Sequence, residues 1–262
     1  MLVSQLLTSG QRQQIEGYLA WKWNISSQLP AGHPYRLASS VQPHVPTNRI
    51  TALADKSGLG NNFTPVSFPN YPTYSSTYTG IYFGISASFV NASLAIPAGY
   101  TMMAVASLST TPVSYGRLIN VGPGDVVGFL GTYEGTSNFA TFTGNGTTWN
   151  DITANVPATP VSTNPSLPSI MEMTVCGTVL TPYFNGADMS AKVGTTISAT
   201  GIIIGAKANN GGQFWTGYLN EFLLFPQNLT ILQRQQLEGY LAWKWGLQGN
   251  LPSTHPFKLG PP

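Results

Sequence analysis

The sequence predicts a mainly β fold, a sandwich or a barrel, with a helix at its C-terminal end and a copy of that helix near its N-terminus. Three observations carry this. From about residue 50 to residue 228 the chain runs in short segments of β type, bounded by Gly, Pro, Asn and Ser, with no helical period between them. A helical period occurs only near the two ends. Those ends are copies of one another: residues 11–37 and 233–259 align at a constant offset of 222, with 17 of 27 positions identical. Several differences are mild, as in Ile15/Leu237, Ile25/Leu247, Tyr35/Phe257 and Arg36/Lys258.

The elements follow in order. Thr8-Ser9-Gly10-Gln11 has the Thr-x-x-Gln pattern that caps a helix start. The apolar positions Ile15, Tyr18, Leu19, Lys22 (by its stem) and Trp23 then recur at helical spacing and give one aromatic-rich stripe. Asn24 suits a left-handed stop. Leu-Pro and His-Pro pairs hold the following chain extended. Residues 38–50 read as a linker containing His44. These divisions predict an appendage over 1–45 and a sandwich over 46–262.

Strands are expected over 80–89, 100–107, 117–121, 126–133, 139–142, 171–176, 178–184, 201–206 and 217–225. In the first of these, Ile81, Phe83, Ile85, Ala87 and Phe89 alternate onto one face. Asn185-Gly186 signals a tight hairpin turn. Thr230-Ile231-Leu232-Gln233 repeats the capping pattern, and the second stripe is Leu237, Tyr240, Leu241, Lys244 and Trp245. Gly246 is the expected terminator.

Composition narrows the function classes. Charged residues make up 8% of the chain, against roughly a quarter in an average soluble protein, and the net charge is +2. Without a basic run, nucleic-acid binding has little support. The single Cys176 excludes an intrachain disulfide framework and, in the apolar run from Met171 to Leu180, reads as a small core residue. No segment reaches the roughly 18 apolar residues of a membrane helix. The opening MLVSQLLTSGQRQQ lacks the basic start and apolar block of a signal peptide.

The residues carry no local catalytic signature. No two of the acids Glu16, Asp55, Asp125, Glu134, Asp151, Glu172, Asp188, Glu221 and Glu238 lie within four residues of each other. His33, His44 and His255 lack zinc spacing. His33 and His255 read as structural rings near the helix ends, and His44 as solvated. Neither a phosphate loop nor a nucleophile elbow is present. Glu16 and Glu238 read as carboxylates in the first helical turns, favoured by the helix dipole and paired with Arg12 and Arg234.

The C-terminal run Glu221-Phe-Leu-Leu-Phe-Pro, Leu229-Thr230, RQQLEGYLAWKWGL…LP…HPF resembles the closing signature of laminin-G-like, concanavalin-A-like jelly-roll domains. Leu53-Ala-Asp-Lys-Ser-Gly-Leu-Gly-Asn-Asn62 is similar to a stretch near the start of such domains, and Tyr183-Phe184-Asn185-Gly186 to one of their hairpins. The resemblance covers about 49–259. It implies a two-sheet antiparallel jelly-roll β-sandwich with a C-terminal helix, of a type found in bacterial, phage and giant-virus surface proteins. The Tyr-Leu-Ala-Trp-Lys-Trp version resembles that of structural proteins of large DNA viruses. The fold hosts lectins, hydrolases and structural modules, so it implies no activity by itself. The hydrolases of this fold carry a Glu-x-Asp-x-x-Glu pattern that is missing here.

The expected function is therefore a non-enzymatic structural or adhesive module, on a virion surface or extracellular, capsid-associated or in a fibre. The expected partners are further copies or neighbouring capsid or fibre proteins. Self-association would use Ile15, Tyr18, Leu19, Trp21 and Trp23, whose stripe expects a sandwich to lie on, either a neighbouring molecule's or, beside the second helix, the one in this chain. Aligning Met1-Leu2-Val3 with Leu223-Leu224-Phe225 further suggests a piece of a tandem array. The alternative is a glycan-binding module using the aromatics Tyr71, Tyr74, Tyr78 and Trp149, which otherwise cover core edges. No cofactor or metal is expected. Asp55 has the oxygen chemistry calcium takes, and some relatives of the fold carry calcium. Beside Lys56, however, it reads as the cap of its own turn, with Gly58 and Gly60 supplying the dihedrals. Asn24, Asn62, Asn91, Asn145 and Asn228 are N-glycosylation candidates.

Overall fold

A computed structural model of the chain describes Ser9, Gln13, Glu16, Ala20, 26–34, Arg36, 49–66, 71–84, 86–112, 114–122, 128–144, 149–151, 159–190, 192–193, 198–207 and 212–262. The chain divides into two compact units, 1–48 and 49–262. In the first, Ser9, Gln13, Glu16 and Ala20 are helical and Ser26–Gln28 forms a 3-10 turn. His33 Nε2 lies 3.1 Å from Glu16 Oε2. Ile15, Tyr18, Leu19, Trp21, Trp23, Asn24 and His44 lie outside the described residues.

The second unit is a β-sandwich. Its strands among the described residues are β1 (Thr64–Pro65), β2 (Thr73–Ser75), β3 (Gly80–Phe83), β4 (Phe89–Ile96), β5 (Tyr100–Leu108), β6 (Gly116–Val121), β7 (Gly128–Thr132), β8 (Phe139–Gly144), β9 (Trp149–Asp151), β10 (Ser169–Cys176), β11 (Val179–Phe184), β12 (Ala187–Asp188), β13 (Lys192–Val193), β14 (Ala199–Ile204) and β15 (Gly217–Phe225). One sheet has the order β1-β4-β14-β6-β7-β8-β9. The other has the order β12-β11-β10-β5-β15-β3-β2, with β13 also on β11. All these pairings are antiparallel.

The main core lies between the sheets. Phe83, Phe89, Met102, Ala104, Leu118, Leu130, Met171, Met173, Ile202, Trp215 and Leu219 contribute to it. Central strand β5 is buried along its whole length. Its even positions, Met102, Ala104, Ala106 and Leu108, enter this core. Its odd positions, Met103 and Val105, pack with Ile170, Leu241, Ala242, Leu247 and Leu251 in a second core. A run apolar on both faces is what a strand covered on both sides requires.

Helix α1 (Ile231–Trp245) supplies that second cover. The capping box at Thr230 and Gln233 forms, and Gly246 ends the helix in the left-handed region at φ 70°. The turn at Asn185-Gly186 also forms: both residues have positive φ, 50° and 78°, and they join β11 to β12 as a type I′ hairpin does.

Four expectations are corrected. Residues 80–89 are not one strand. β3 ends at Phe83 and β4 begins at Phe89, with Ser86 between them at φ 67°, and the two strands lie in different sheets; Ile85 lies outside the described residues. Both ends still face the same core, because they approach it from opposite sides. The linker is shorter than expected: Arg49 bridges to Thr73, Ile50 N–H donates to Pro72 O at 2.9 Å, and Ile50 packs on the core. Cys176 is exposed. Val175 takes the core position, so the next residue in a strand points outward, and α1 does not reach this end of β10. The buried stripe of α1 is also rotated from the expected one. Arg234, Glu238, Gly239, Leu241 and Ala242 are buried, whereas Tyr240 is 42% exposed and Lys244 is exposed.

Candidate functional site

Two side-chain clusters flank the ends of the face that α1 covers. The first holds the helix down. Cross-strand register places Tyr183, Glu172, Met103 and Leu223 in one row on that face. Glu238 points at this row from α1 and is 0% exposed, as is Glu172. Arg234 bonds Glu238 through Nη1, and its guanidinium sits 3.7 Å from the centroid of the Tyr183 ring. His255 Nε2 lies 3.0 Å from Glu238 Oε2, and His255 Nδ1 accepts from the Phe257 backbone N–H at 3.2 Å. That pattern assigns the neutral tautomer with its proton on Nε2.

Glu172 accepts from Thr174 Oγ1 at 3.4 Å, and its other oxygen has no hydrogen-bond partner. Burial, and then the Glu238 carboxylate, push its carboxyl well above the usual range. These acids come together from distant parts of the chain. A lone carboxylate in the apolar run from Ser169 to Val175 was the available signal.

The first-turn placement expected for Glu238 does not hold. It is the eighth residue of a helix that starts at Ile231, beyond the reach of the N-terminal dipole, and Arg234 with His255 balance it instead. The expected Arg234–Glu238 pair is present. On the opposite flank, Glu221 of β15 accepts from Lys244 Nζ at 3.0 Å and from Trp245 Nε1 at 2.8 Å. Tyr240, expected beneath the helix, instead stands at its edge and receives Lys244 Nζ at 2.9 Å.

The second cluster is aromatic and open. Register aligns Thr73, Tyr82, Tyr218 and Ser107 across β2, β3, β15 and β5, on the same sheet face as Met103 and Val105. Tyr218 meets Tyr82 with ring centroids 5.1 Å apart, and meets Tyr78 edge-on at 5.0 Å. All three rings are half-buried. Burial, and then the neighbouring Tyr78 and Tyr82 phenols, raise the Tyr218 pKa.

Tyr78 sits in the turn between β2 and β3. Asn220 Nδ2 donates to Tyr78 O at 2.9 Å and fixes that turn. Gly80 allows the approach: a Cβ there would stand 3.0 Å from Asn220 Nδ2 and 3.2 Å from Leu219 O. The site is thus three aromatic faces on a rigid sheet beside amide and hydroxyl groups.

Of the four expected glycan-binding aromatics, only Tyr78 joins this cluster. Tyr74 pairs with Ile81, whose side chain packs on the inner core, so it lies on the opposite face of the edge strand. The Tyr71 ring lies 6.0 Å from the Arg49 guanidinium. Trp149 lies on β9, at the edge of the other sheet. Tyr82 and Tyr218 were missed because each reads as one aromatic in an ordinary strand; only the register across β3 and β15 makes them neighbours.

The Asp55 loop closes on itself. Asp55 accepts from Ser57 N at 2.8 Å, Ser57 Oγ at 2.7 Å and Asn61 N at 3.0 Å, while Asn62 Oδ1 accepts from Asp55 N at 2.9 Å. The Ser57 hydroxyl, followed by these backbone N–H groups, holds the Asp55 carboxyl below its ordinary value. Gly58 and Gly60 have φ of 84° and 76°. Among the described residues no group of three or more His, Cys, Asp and Glu could hold a metal ion.

The sequons fare differently. Asn91 is 8% exposed, and its Oδ1 accepts from Ser93 N, Ser93 Oγ and Leu94 N, so it is not the surface acceptor expected. Asn62 is exposed and Asn228 half-buried; Asn145 lies outside the described residues.

No protein-family model and no curated protein sequence matches the chain. Among solved structures it is similar to the binding domain of botulinum neurotoxin serotype D, at 11% identity over 74% of this chain and 52% of that one, with a TM-score of 0.53. It is also similar to a structure of botulinum neurotoxin type C, which interacts with two ganglioside molecules, at 10% identity over 76% of this chain and 53% of that one, with a TM-score of 0.52. The chain spans about half the length of these structures. At this identity the likeness is one of fold.

Proposed function

We propose that this chain is a carbohydrate-binding module whose site is the tyrosine cluster Tyr78, Tyr82 and Tyr218. The cluster itself carries the reading. Sugar rings present C–H faces that stack on aromatic rings, with a few polar groups setting orientation. Three half-exposed tyrosines held by sheet register supply such faces with little ordering left to do on binding. The ganglioside-interacting toxin of similar fold is a supporting analogy and no more. The buried pair Glu172 and Glu238 serves to anchor α1 and is closed to a substrate. Nothing in the fold or in the structures similar to it favours a virion, capsid or fibre setting over any other.

The test is a glycan array with the full chain, followed by titration of any hit. Saturable binding is expected, weakened at least roughly tenfold in Tyr218→Ala, which corresponds to about 1.4 kcal/mol. An empty array, or binding that Tyr218→Ala leaves intact, rejects the proposal.

A further inference from the structure

We propose that the glycan taken by the tyrosine cluster is an uncharged pyranoside, and that Ser107 and Asn220 select it by receiving its hydroxyl groups. This rests on the carbohydrate-binding reading of Tyr78, Tyr82 and Tyr218 and adds the polar half of that site. Stacking on phenol rings holds a sugar but separates one sugar from another poorly. Polar groups at fixed positions supply the choice.

Two oxygens are placed for this. Ser107 lies directly opposite Tyr218 across β5 and β15, two residues beyond Val105, so its side chain leaves the sheet on the face that carries the tyrosines. It is 0% exposed, and its Oγ has no hydrogen-bond partner. Asn220 follows Tyr218 by two residues, where β15 shifts register against β5 between Leu219 and Glu221. Its side chain is on the same face: a Cβ on Gly80, two residues before Tyr82, would meet Asn220 Nδ2 at 3.0 Å. Nδ2 is committed to Tyr78 O, whereas the buried Oδ1 has no partner.

An unpaired buried oxygen is unfavourable, and a native fold that keeps one calls for a reason. Here two of them flank one ring, Tyr218, which is itself half-exposed. Both oxygens are covered in the free chain. A turn of the Tyr218 side chain, of the kind common at binding surfaces, opens them to a hydroxyl of a sugar seated on the rings.

Their chemistry sets the ligand class. Asn220 Oδ1 only accepts, so it takes a ligand O–H, while the Ser107 hydroxyl both donates and accepts. Adjacent hydroxyls on one edge of a pyranose fit this pair, with the C–H face of the sugar on the tyrosines. The row Thr73, Tyr82, Tyr218 and Ser107 has no charged member. The residue after Asn220 is Glu221, whose carboxylate already receives Lys244 and Trp245. A uronic or sialic carboxylate would meet two acceptors, Asn220 Oδ1 and Glu221, and would lose its water without replacement.

The test uses the full chain on an array of neutral glucose, galactose and mannose oligosaccharides beside the same glycans ending in a uronic or sialic acid. Each hit is titrated against the parent, Tyr218→Ala and Ser107→Ala, with folding checked by near-UV circular dichroism. Binding is expected among the neutral glycans and at least roughly tenfold weaker in Ser107→Ala. The free Ser107→Ala chain should melt no lower than the parent, because it sheds an unpaired hydroxyl. Should Ser107→Ala misfold, Ser107→Cys, close in volume but with only a weak S–H donor, takes its place with the same expected loss.

Acidic glycans bound as well as neutral ones overturn this proposal. So does affinity that Ser107→Ala leaves unchanged while Tyr218→Ala removes it, and so does an affinity loss that comes with a lower Tm, the mark of a structural serine. In these three cases the tyrosine site itself stands. An empty array, or binding indifferent to Tyr218→Ala, rejects the carbohydrate reading and this proposal with it.

Discussion

His255 donates its Nε2 proton to the Glu238 carboxylate at 3.0 Å, and this bond ties the C-terminal strap, residues 247–262, to helix α1. The strap is held at further points. Trp243 Nε1 donates to Phe257 O at 2.8 Å, and Lys258 Nζ donates to Gly249 O at 2.9 Å. Strap, helix and sheet thus converge on one buried carboxylate.

Removing that carboxylate should cost more than any surface change. Glu238→Ala removes the buried carboxylate that both Arg234 Nη1 and His255 Nε2 bond. A buried pair broken on one side typically costs about 3–5 kcal/mol. Urea unfolding should show a loss of this size, and a loss below about 1 kcal/mol would mean that the clamp is not a stabilising element.

Glu172 should make stability fall as the pH rises. Its folded pKa lies above the ordinary 4.5 because of burial and the Glu238 carboxylate. Its favourable contribution is therefore full below the ordinary value and is lost as pH climbs through the raised one. Glu172→Gln cannot ionise. Melting temperatures across pH 4–9 should show the variant overtaking the parent on the alkaline side, with a flatter profile. Parallel profiles would mean that Glu172 keeps its ordinary pKa in the fold.

Much of this was legible in the residues, and the misses share a cause. The capping box at Thr230, the stop at Gly246 and the turn at Asn185-Gly186 depend on neighbours in sequence, and each formed as read. The break inside 80–89 was hidden because Phe83, Ala87 and Phe89 all face the core, from two sheets, and so mimic one alternating strand. The buried side of α1 was misjudged because hydrophobicity favoured Tyr240 over Arg234 and Glu238, whose burial depends on Tyr183, Glu172 and His255 far along the chain. The tyrosine cluster was half visible for the same reason: Tyr78 could be named, but its partners are set by the register of β3 on β15.

Gly239→Ala should destabilise, against its helix propensity. In an exposed helix, alanine for glycine gains about 1 kcal/mol. Here the new Cβ would stand 2.6 Å from Phe257 Cβ and 2.9 Å from Phe257 Cγ, so the strap must lift. Thermal unfolding should show a lower Tm, and Phe257→Gly in the same chain, which removes the opposing Cβ and ring, should recover part of the loss. A higher Tm for Gly239→Ala alone would show that the strap yields without cost.

The tyrosine cluster predicts a split between two substitutions at one position. Burial first, and then the phenols of Tyr78 and Tyr82, hold the Tyr218 pKa above its ordinary 10.0. Tyr78→Phe removes one phenol but keeps a ring edge-on to Tyr218 at the 5.0 Å contact. The Tyr218 pKa should then fall towards its ordinary value, as read by NMR of the labelled ring carbon, while glycan affinity changes little if stacking carries it. Tyr78→Ala should lower affinity by roughly 1 kcal/mol or more, because it removes the ring face itself. Asn220→Ala should resemble Tyr78→Ala in weaker form, since it frees the turn that the 2.9 Å bond to Tyr78 O holds in place. Equal losses in Tyr78→Phe and Tyr78→Ala would instead assign the binding to the hydroxyl, and the stacking account of this site would have to be given up.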